Sequence, residues 1–413
     1  MRAFRVAFLL GLFFIGPLPV SGQGQLPEPT GQFGVGLAVF DWTDDSRPET
    51  QSGEKDKKCR ELLVYLFYPI AKETTGTPSE YFPHLKEVES FEEMFGKNFF
   101  RESYGSSYKT ISSIKSHAIE NAAAAAGGQK YPILVFSHGG GVPVLCYTAI
   151  IENLVSHGYV VAAVEHSFDG ATVAFPDGRI ITQSGWDQDS KRTKEEQAAF
   201  HAERHHAGSL DNQFVLNQLE RLDSGRLKGA PRQLRGRLDT SKVGALGHSL
   251  GGMISVVSGH DDKRFRFCLN LDGGLDPGST YGSLSQPVVA MFGDNRRPQR
   301  PGETKEAFAK RKSSRDRFIK NLKAEYPGAT KGSYFLLVDS PGFSHFSYYD
   351  FPNDQAEEAP WRATPEQWMR NQRIILDCTL AVVDAHVRSE RPKVFADLQK
   401  QFPEVKAEPI TDP

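Results

Sequence analysis

The chain has 413 residues and a formal net charge of −2, from 49 basic and 51 acidic side chains. This balance excludes the strongly basic surface expected of a nucleic-acid-binding protein, and 39% hydrophobic residues suffice for a sizeable core. The length allows one large domain or two smaller ones. Because the sequence has neither an internal repeat nor a strong linker, it predicts a single domain over residues 23–413.

The first residues have the pattern of a secretory signal peptide. Two arginines precede a short apolar run over residues 6–15, and Val20 and Gly22 suit a peptidase cut before Gln23. The run is too short for a comfortable membrane span, although a retained N-terminal anchor is the alternative. The sequence therefore predicts a leader over residues 1–22 and a secreted or periplasmic protein.

Buried strands alternate with helices along the chain after a loose, Pro- and Gly-rich lead-in. The predicted strands, some ending in turns, lie within residues 61–70, 131–141, 159–166, 242–246, 265–274, 286–295 and 332–351. The predicted helices lie within residues 80–118, 147–158, 190–222, 251–259 and 372–387. This alternation predicts an α/β fold with a mostly parallel sheet covered by helices on both faces.

Two charged segments interrupt this pattern, a helical excursion around residues 185–235 and a basic insert around residues 296–318. The excursion contains His201, His205 and His206, of which the first two are four residues apart, a spacing that suits two metal ligands. A third ligand is missing nearby and the segment is very polar. We therefore interpret the histidines as part of a solvated helix face and predict no metal and no cofactor.

Four cysteines follow the leader, and sequence alone cannot choose among their three possible full pairings: Cys59, Cys146, Cys268 and Cys378. Cys268 lies in a segment that resembles a buried strand, so we expect a packed thiol there. The sequence has neither a CxxC motif nor a His/Cys cluster that would indicate a zinc site.

The spacing of apolar residues over 84–100 predicts an amphipathic helix with one apolar face. Its apolar side chains recur at spacings of three and four: Leu85, Val88, Phe91, Met94, Phe95, Phe99 and Phe100. Such a face either packs against the sheet or docks on a lipid surface. Packing is the first expectation, and peripheral lipid contact is the alternative.

The stretch GALGHSLGGMISVV, residues 244–257, carries the strongest chemical signal. Gly247, Ser249 and Gly251 fit the pattern G-x-S-x-G between a predicted strand and a predicted helix. A sharp strand-to-helix turn needs small residues on both sides of a strained central residue, whose side chain is then exposed at the tip. This indicates a nucleophile elbow with Ser249 as the nucleophile, whereas the alternative is an ordinary serine in a glycine-rich turn.

A serine nucleophile needs a base to take its proton. In α/β-hydrolases the chain order is serine, acid, histidine, with the acid and the histidine at strand ends. His345 follows a predicted strand downstream of Ser249 and is the predicted base. His260 is only 11 residues after the serine, and His386 lies in the last predicted helix, so both fit less well.

The acid has two candidates. Asp272, 23 residues after Ser249, ends one predicted strand, and Asp294 ends the next. Both are strand-end carboxylates, and local pattern does not separate them.

A tetrahedral oxyanion also needs preorganised N–H donors. One donor is expected to be the backbone N–H of Leu250, next to the nucleophile. The other is expected from the SHGGG loop over residues 137–141, where we assign Gly140 because glycine lets the backbone approach a substrate.

Several blocks of the chain resemble the plasma platelet-activating factor acetylhydrolase family, the lipoprotein-associated phospholipases of the α/β-hydrolase superfamily. The similarity extends over roughly residues 60–350, with a looser middle. The blocks that carry it are residues 62–69, 80–82, 136–166, 243–252 and 261–272.

The resemblance implies an α/β-hydrolase fold and decides between the two acids, because the family's acid maps to Asp272 and not to Asp294. It also implies His345 as the base, and Gly140 and Leu250 as the oxyanion donors. Two departures concern the substrate. Family members often carry bulkier residues at the two oxyanion positions, and the basic insert over residues 296–315 has no recognisable counterpart.

The expected protein is a calcium-independent serine esterase for short or oxidised acyl esters. By resemblance, its substrate is the sn-2 ester of platelet-activating-factor-like phospholipids. One alternative keeps the triad with a non-lipid substrate, as in a general carboxylesterase or a polyester- or dienelactone-type hydrolase. Another is a catalytically dead hydrolase fold that serves as a binding module. The oligomeric state is not predicted.

Overall fold

The three-dimensional description rests on a computed structural model. It describes residues 26–52, 58–94, 111, 113–227, 232–274, 284–293, 304–310, 313, 320, 326, 329–330, 332–350, 363–389 and 393–410. The predicted leader and most of the predicted basic insert lie outside these residues, so both stay predictions.

One large sheet dominates the described residues, with the strand order β13-β12-β11-β10-β9-β5-β6-β2-β1-β4-β3. Strands β7 and β8 pair separately. The bounds are β1 Gly34–Pro48, β2 Cys59–Ile70, β3 Pro78–Glu80, β4 Lys115–Glu120, β5 Tyr131–Ser137, β6 Val160–Glu165, β7 Val173–Ala174, β8 Ile180–Ile181, β9 Leu238–His248, β10 Phe265–Leu271, β11 Val288–Gly293, β12 Tyr334–Val338 and β13 Val405–Pro409.

The centre of the sheet is parallel, from β6 through β5, β9, β10 and β11 to β12. Strands β2 and β13 pair antiparallel with the two ends of this central block. All seven residues of β5 and all six of β6 are buried, as expected for strands covered on both faces. The predicted mostly parallel sheet is therefore confirmed.

Helices cover both faces of the sheet. Their bounds are α1 Leu85–Met94, α2 Thr148–Ser156, α3 Lys194–Asp223, α4 Leu250–Asp261, α5 Pro365–Val383 and α6 Val394–Gln401. Side chains of α2, α5 and α6 share one apolar cluster with alternate strand residues, whereas those of α3 pack into a cluster on the opposite face. Of the helices that the structure describes, none is long and apolar enough to cross a membrane.

Two local expectations were wrong at the periphery of the sheet. The region predicted as helix over residues 80–118 overlaps β3 at residue 80 and β4 at residues 115–118, and α6 and β13 follow the helix expected to close the chain. Strand β1, which follows the lead-in, was not predicted. Strand β4 is short, and it is placed by pairing with β1 and β3 and by hydrogen bonds to Glu152 of α2, none of which local sequence reveals.

The apolar face predicted over residues 84–100 is described only in part. Val88 is buried in the core, and Leu85 packs against it. The three phenylalanines at the distal end of the face lie outside the described residues, so lipid docking by that end stays a prediction.

All four cysteines are free thiols. Cys268 is fully buried, as predicted, and burial raises its pKa to about 12. A thiol of that kind is inert packing material rather than a reactive group.

Candidate active site

The elbow has the predicted strand–turn–helix structure. Strand β9 ends at His248, helix α4 begins at Leu250, and Ser249 lies between them with φ 53° and ψ −118°. This conformation is costly for a residue other than glycine, and it persists only where the surroundings enforce it. The Ser249 N–H donates to the carbonyl of Leu271 at 2.9 Å, which ties the turn to the end of β10.

The glycines on either side of the elbow are required by close backbone approach. A Cβ on Gly251 would lie 2.1 Å from the carbonyl oxygen of Ser137, and one on Gly247 would lie 2.3 Å from the carbonyl carbon of Gly251. Neither position can accept a side chain unless the backbone moves. The G-x-S-x-G spacing therefore has a steric cause in the crossing of α4 over the end of β5.

Asp272 and His345 meet at the carboxyl end of the sheet. The Nδ1 atom of His345 lies 2.7 Å from Oδ2 of Asp272. Because an ionised carboxylate only accepts hydrogen bonds, this contact selects the tautomer in which Nδ1 carries the proton and Nε2 is free. Asp272 directly follows β10 and has φ 56°, so strained backbone aims the carboxyl group at the histidine, as it aims the serine side chain.

The other candidates of the sequence analysis do not join this pair. His260 pairs with its neighbour Asp261 at the far end of α4, and His386 contacts the carbonyls of Val382 and Gly332. Asp294, the rival acid, lies outside the described residues.

The glycine-rich loop after β5 lies beside the elbow. A Cβ on Gly140 would lie 3.8 Å from Cδ2 of Leu250, so the two predicted oxyanion donors are neighbours. That separation is an ordinary contact, and position 140 therefore has room for a side chain. The loop is held on both sides, because the N–H of Gly141 donates to the carbonyl of Asp169 at 2.8 Å and the N–H of Gly139 donates to the hydroxyl of Tyr147 at 3.0 Å.

A pocket of about 310 Å³ opens above the serine. Two groups of residues line it, one from the elbow and its surroundings and one from the charged excursion. The lining residues are Gly140, Gln183, Trp186, His201, His205, Ser249, Leu250, Met253 and Gly274.

The prediction of a solvated histidine face was wrong for two of its three members. His205 is only 4% exposed and His201 is half-buried against Trp186, with its ring 5.5 Å from the indole and nearly parallel to it. Both line the pocket, whereas the side chain of His206 is 64% exposed, as expected. Sequence reasoning missed this because the helix has charged residues on all sides, and its N-terminal part is buried by the turn before it rather than by the sheet.

Trp186 is the main pocket residue that sequence reasoning missed. Its Nε1–H donates to Oδ1 of Asp169 at 2.9 Å, and Arg204 donates to the same oxygen at 3.1 Å. Burial raises the pKa of Asp169, and the charges of Arg204 and Arg60 oppose that rise. The one available signal was a tryptophan in an otherwise polar stretch.

The described residues hold no group of three or more His, Cys, Asp or Glu side chains that could bind a metal ion. His201 instead pairs with Asp189, with 3.1 Å between Nε2 and Oδ2.

The fold and this edge of the sheet, with a strained serine elbow beside a paired carboxylate and histidine, define an α/β-hydrolase. Within that class, the chain belongs to the family described as platelet-activating factor acetylhydrolase, isoform II, whose model matches residues 18–315. The match includes Gly140, Ser249, Leu250 and Asp272, and it ends before His345.

Individual relatives agree with this assignment. The chain is 28% identical over 290 residues to platelet-activating factor acetylhydrolase from Canis lupus familiaris. The aligned region covers 64% of this chain and 59% of that protein. It is 27% identical over 288 residues to the Bos taurus protein of the same name, 65% of this chain and 60% of that protein. A probable 1-alkyl-2-acetylglycerophosphocholine esterase from Arthroderma benhamiae is 28% identical over 261 residues, 60% of this chain and 59% of that protein. The chain thus spans about three-fifths of the length of these relatives.

A solved structure resembles almost the whole chain. The ferulic acid esterase from Streptomyces cinnamoneus matches with a TM-score of 0.66 and 24% identity, over 94% of this chain and 99% of that one. At this level of identity the likeness shows the fold alone.

Proposed function

We propose that this chain is a calcium-independent serine esterase for short or oxidised acyl esters, with the sn-2 ester of platelet-activating-factor-like phospholipids as its substrate class. The observation that carries the proposal is the 2.7 Å hydrogen bond between His345 and Asp272 at the same sheet edge as the strained Ser249. The names of the relatives support the acetylhydrolase and glycerophosphocholine part of it.

In the proposed mechanism, the Ser249 hydroxyl oxygen attacks the ester carbonyl while Nε2 of His345 takes the hydroxyl proton. Asp272 keeps the imidazole in the required tautomer and stabilises the imidazolium that forms. The same proton then passes to the departing alcohol, which leaves an acyl-serine. Water, deprotonated by His345, attacks the acyl-serine and releases the carboxylic acid and the free serine.

The negative charge on the tetrahedral intermediate is assigned to two backbone donors, the N–H groups of Gly140 and Leu250. Support comes from the short distance between these residues and from the position of Leu250 at the first turn of α4, where amide groups point out of the helix and favour an anion. One such donor typically contributes about 2.7–4 kcal/mol to transition-state stabilisation.

The size of the pocket supports the proposed preference for short acyl groups. A cavity of about 310 Å³ is at the lower end of what small-molecule sites offer. Trp186 is one of the lining residues, and its ring lies 4.0 Å from a Cβ placed on Gly140, so its indole takes up space beside the proposed oxyanion donor.

The decisive test combines active-site labelling with a chain-length series. A fluorophosphonate probe should label the wild-type chain and the control Ser255→Ala but not Ser249→Ala. Aryl and phospholipid esters with acyl chains from acetyl upward, assayed with and without vesicles, should show the highest kcat/KM for the short phospholipid esters. Similar kcat/KM values across the aryl esters, with no higher kcat/KM for phospholipid esters, would favour the general carboxylesterase. A wild-type chain that the probe does not label would favour the binding module.

We also propose that residues 1–22 are a leader that directs the protein to the secretory route. Support comes from the sequence pattern alone. Expression of the full chain in a secreting host, followed by mass spectrometry of the product, should give an N-terminus at Gln23 in the medium or periplasm. A cell-bound product that retains residue 1 would instead indicate an anchor.

A further inference from the structure

Two buried aromatic residues lie behind the candidate site, and the mechanism above does not use them. Tyr147 ends a short 3-10 turn, Val144–Tyr147, after the glycine-rich loop. His248 is the last residue of β9, immediately before Ser249. Both side chains are completely buried.

Hydrogen bonds join these two residues to the loop. The N–H of Gly139 donates to the Tyr147 hydroxyl at 3.0 Å, and that hydroxyl lies 2.8 Å from Nδ1 of His248. The phenol thus accepts from the amide, and it also contacts Nδ1 of His248 and the side chain of Tyr349. The packing is tight, since a Cβ on Gly139 would lie 3.0 Å from the hydroxyl and 3.2 Å from Nδ1.

The ring of His248 also packs against His345, the proposed base. Its centroid lies 4.5 Å from that of His345, at an interplanar angle of 41°. Tyr348 and Tyr349 flank the ring at 5.0 and 5.4 Å, and Asp272 faces His345 from the end of β10. Burial and the nearby His345 hold the pKa of His248 well below its usual range, with the His345 backbone carbonyl opposing them, so the ring is neutral. A neutral ring in this position does not oppose the positive charge that His345 acquires during the reaction.

We propose that Tyr147 and His248 are positioning residues of this esterase. The Tyr147 hydroxyl fastens the glycine-rich loop to the residue before the nucleophile. The His248 ring packs against the His345 ring and so restrains the position of the base. One unit of hydrogen bonds and ring contacts thus holds the oxyanion donor, the nucleophile and the base in fixed relative positions, and the inference rests on the proposed function.

The principal variant is Tyr147→Phe, which removes one oxygen atom and leaves the ring. We expect kcat per labelled active site to fall about 10- to 100-fold with KM within about threefold, because a displacement of about 1 Å in a catalytic group can cost that much. Affinity for a trifluoromethyl ketone, which forms a tetrahedral adduct with the serine, should fall by a similar factor. The matched control is Tyr68→Phe in β2, which removes a buried tyrosine hydroxyl that donates to the carbonyl of Ala122, remote from the site.

A pair of substitutions at His248 tests the other end of the unit. Asn can accept a hydrogen bond near the Nδ1 position, whereas Leu fills similar space and accepts none. We expect His248→Asn to keep at least a third of the wild-type kcat and His248→Leu to lose about as much as Tyr147→Phe. The double variant Tyr147→Phe/His248→Leu should be no worse than either single change by more than about threefold, because both break the same unit.

Circular dichroism and thermal melting confirm folding, and fluorophosphonate titration counts competent sites. The proposal is overturned if Tyr147→Phe matches Tyr68→Phe in kcat, if only KM changes, or if Asn and Leu at position 248 behave alike. If Tyr147→Phe does not fold, the two His248 variants decide alone. A wild-type chain that neither labels nor turns over would instead refute the proposed function, so the two failures are distinguishable.

Discussion

The two walls of the candidate pocket are held in place in different ways, one by backbone geometry and the other by side-chain contacts. The elbow wall, formed by Ser249 and Leu250 and joined at the same sheet edge by the Asp272–His345 pair, is set by backbone geometry. Two of its residues, Ser249 and Asp272, have positive φ, and a neighbouring glycine meets the backbone of β5 at a distance that excludes a side chain. The positions of the proposed nucleophile and acid therefore depend on the strand ends themselves.

The excursion wall, formed by Gln183, Trp186, His201 and His205, is instead set by side-chain contacts. The indole is held by the buried carboxylate of Asp169, which also pairs with an arginine of α3, and the histidine ring stacks on the indole. Such contacts can be exchanged without moving the sheet. We therefore expect the elbow wall to control the rate of the chemistry and the excursion wall to control the choice of substrate.

The largest effect is expected for Ser249→Ala. Loss of the nucleophile should lower kcat by about 10⁴–10⁶-fold while the fold is retained. Steady-state kinetics on a short-chain aryl ester, with circular dichroism as the folding check, measure this. A folded variant with a tenth of the wild-type activity would show that the elbow wall does not supply the nucleophile.

The next effect concerns the acid. Asp272→Asn keeps the shape of the side chain but loses the charge that orients and stabilises His345, so kcat should fall about 10⁴-fold. Asp294→Asn is the matched control one strand later and should keep at least a tenth of wild-type kcat/KM. The reverse ranking would move the acid to the next strand, and equal partial losses would mean that either carboxylate can serve.

A smaller effect, of a different kind, is expected at the excursion wall. Trp186→Ala should change kcat on an acetyl ester by less than about tenfold, because it leaves the elbow intact. It should raise kcat/KM for longer acyl esters about tenfold relative to acetyl, since each methylene that a pocket accommodates contributes about 1–3 kcal/mol.

Trp186→Phe, which keeps most of the volume, is the control and should show a much weaker shift in the chain-length profile. If Trp186→Ala lost kcat equally on all esters, the division of labour between the two walls would be wrong.

The smallest effect is expected on chelation. His201 contacts Trp186, Asp189 and His205, and the described residues hold no group of three or more His, Cys, Asp or Glu side chains that could bind a metal ion. Activity should therefore be unchanged after dialysis against EDTA, and added calcium or zinc should not raise it. If activity disappears with EDTA and returns with one of these ions, the prediction that the excursion wall holds no metal ion is wrong.

The sequence by itself was sufficient for the parts of this protein that depend on local backbone constraints. The buried strand, the turn and the helix around Ser249 follow from apolar runs interrupted by small residues at a required spacing, and the structure has them as predicted. The pairing of His345 with a strand-end carboxylate also follows, because parallel strands bring their carboxyl ends to one edge. Local pattern left Asp272 and Asp294 equivalent, and only the family resemblance favoured the first.

Only the tertiary structure decided which polar side chains are buried. The helix α3 has charged residues on all sides in sequence, yet Arg204 and His205 are buried, and Arg204 pairs with a distant carboxylate, Asp169, that also accepts from Trp186. Periodicity reports the face of a helix that meets an apolar core, and it contains no information about partners that are 17 and 35 residues away in the chain. The same holds for Tyr147 and His248, whose hydrogen bond joins residues 101 positions apart.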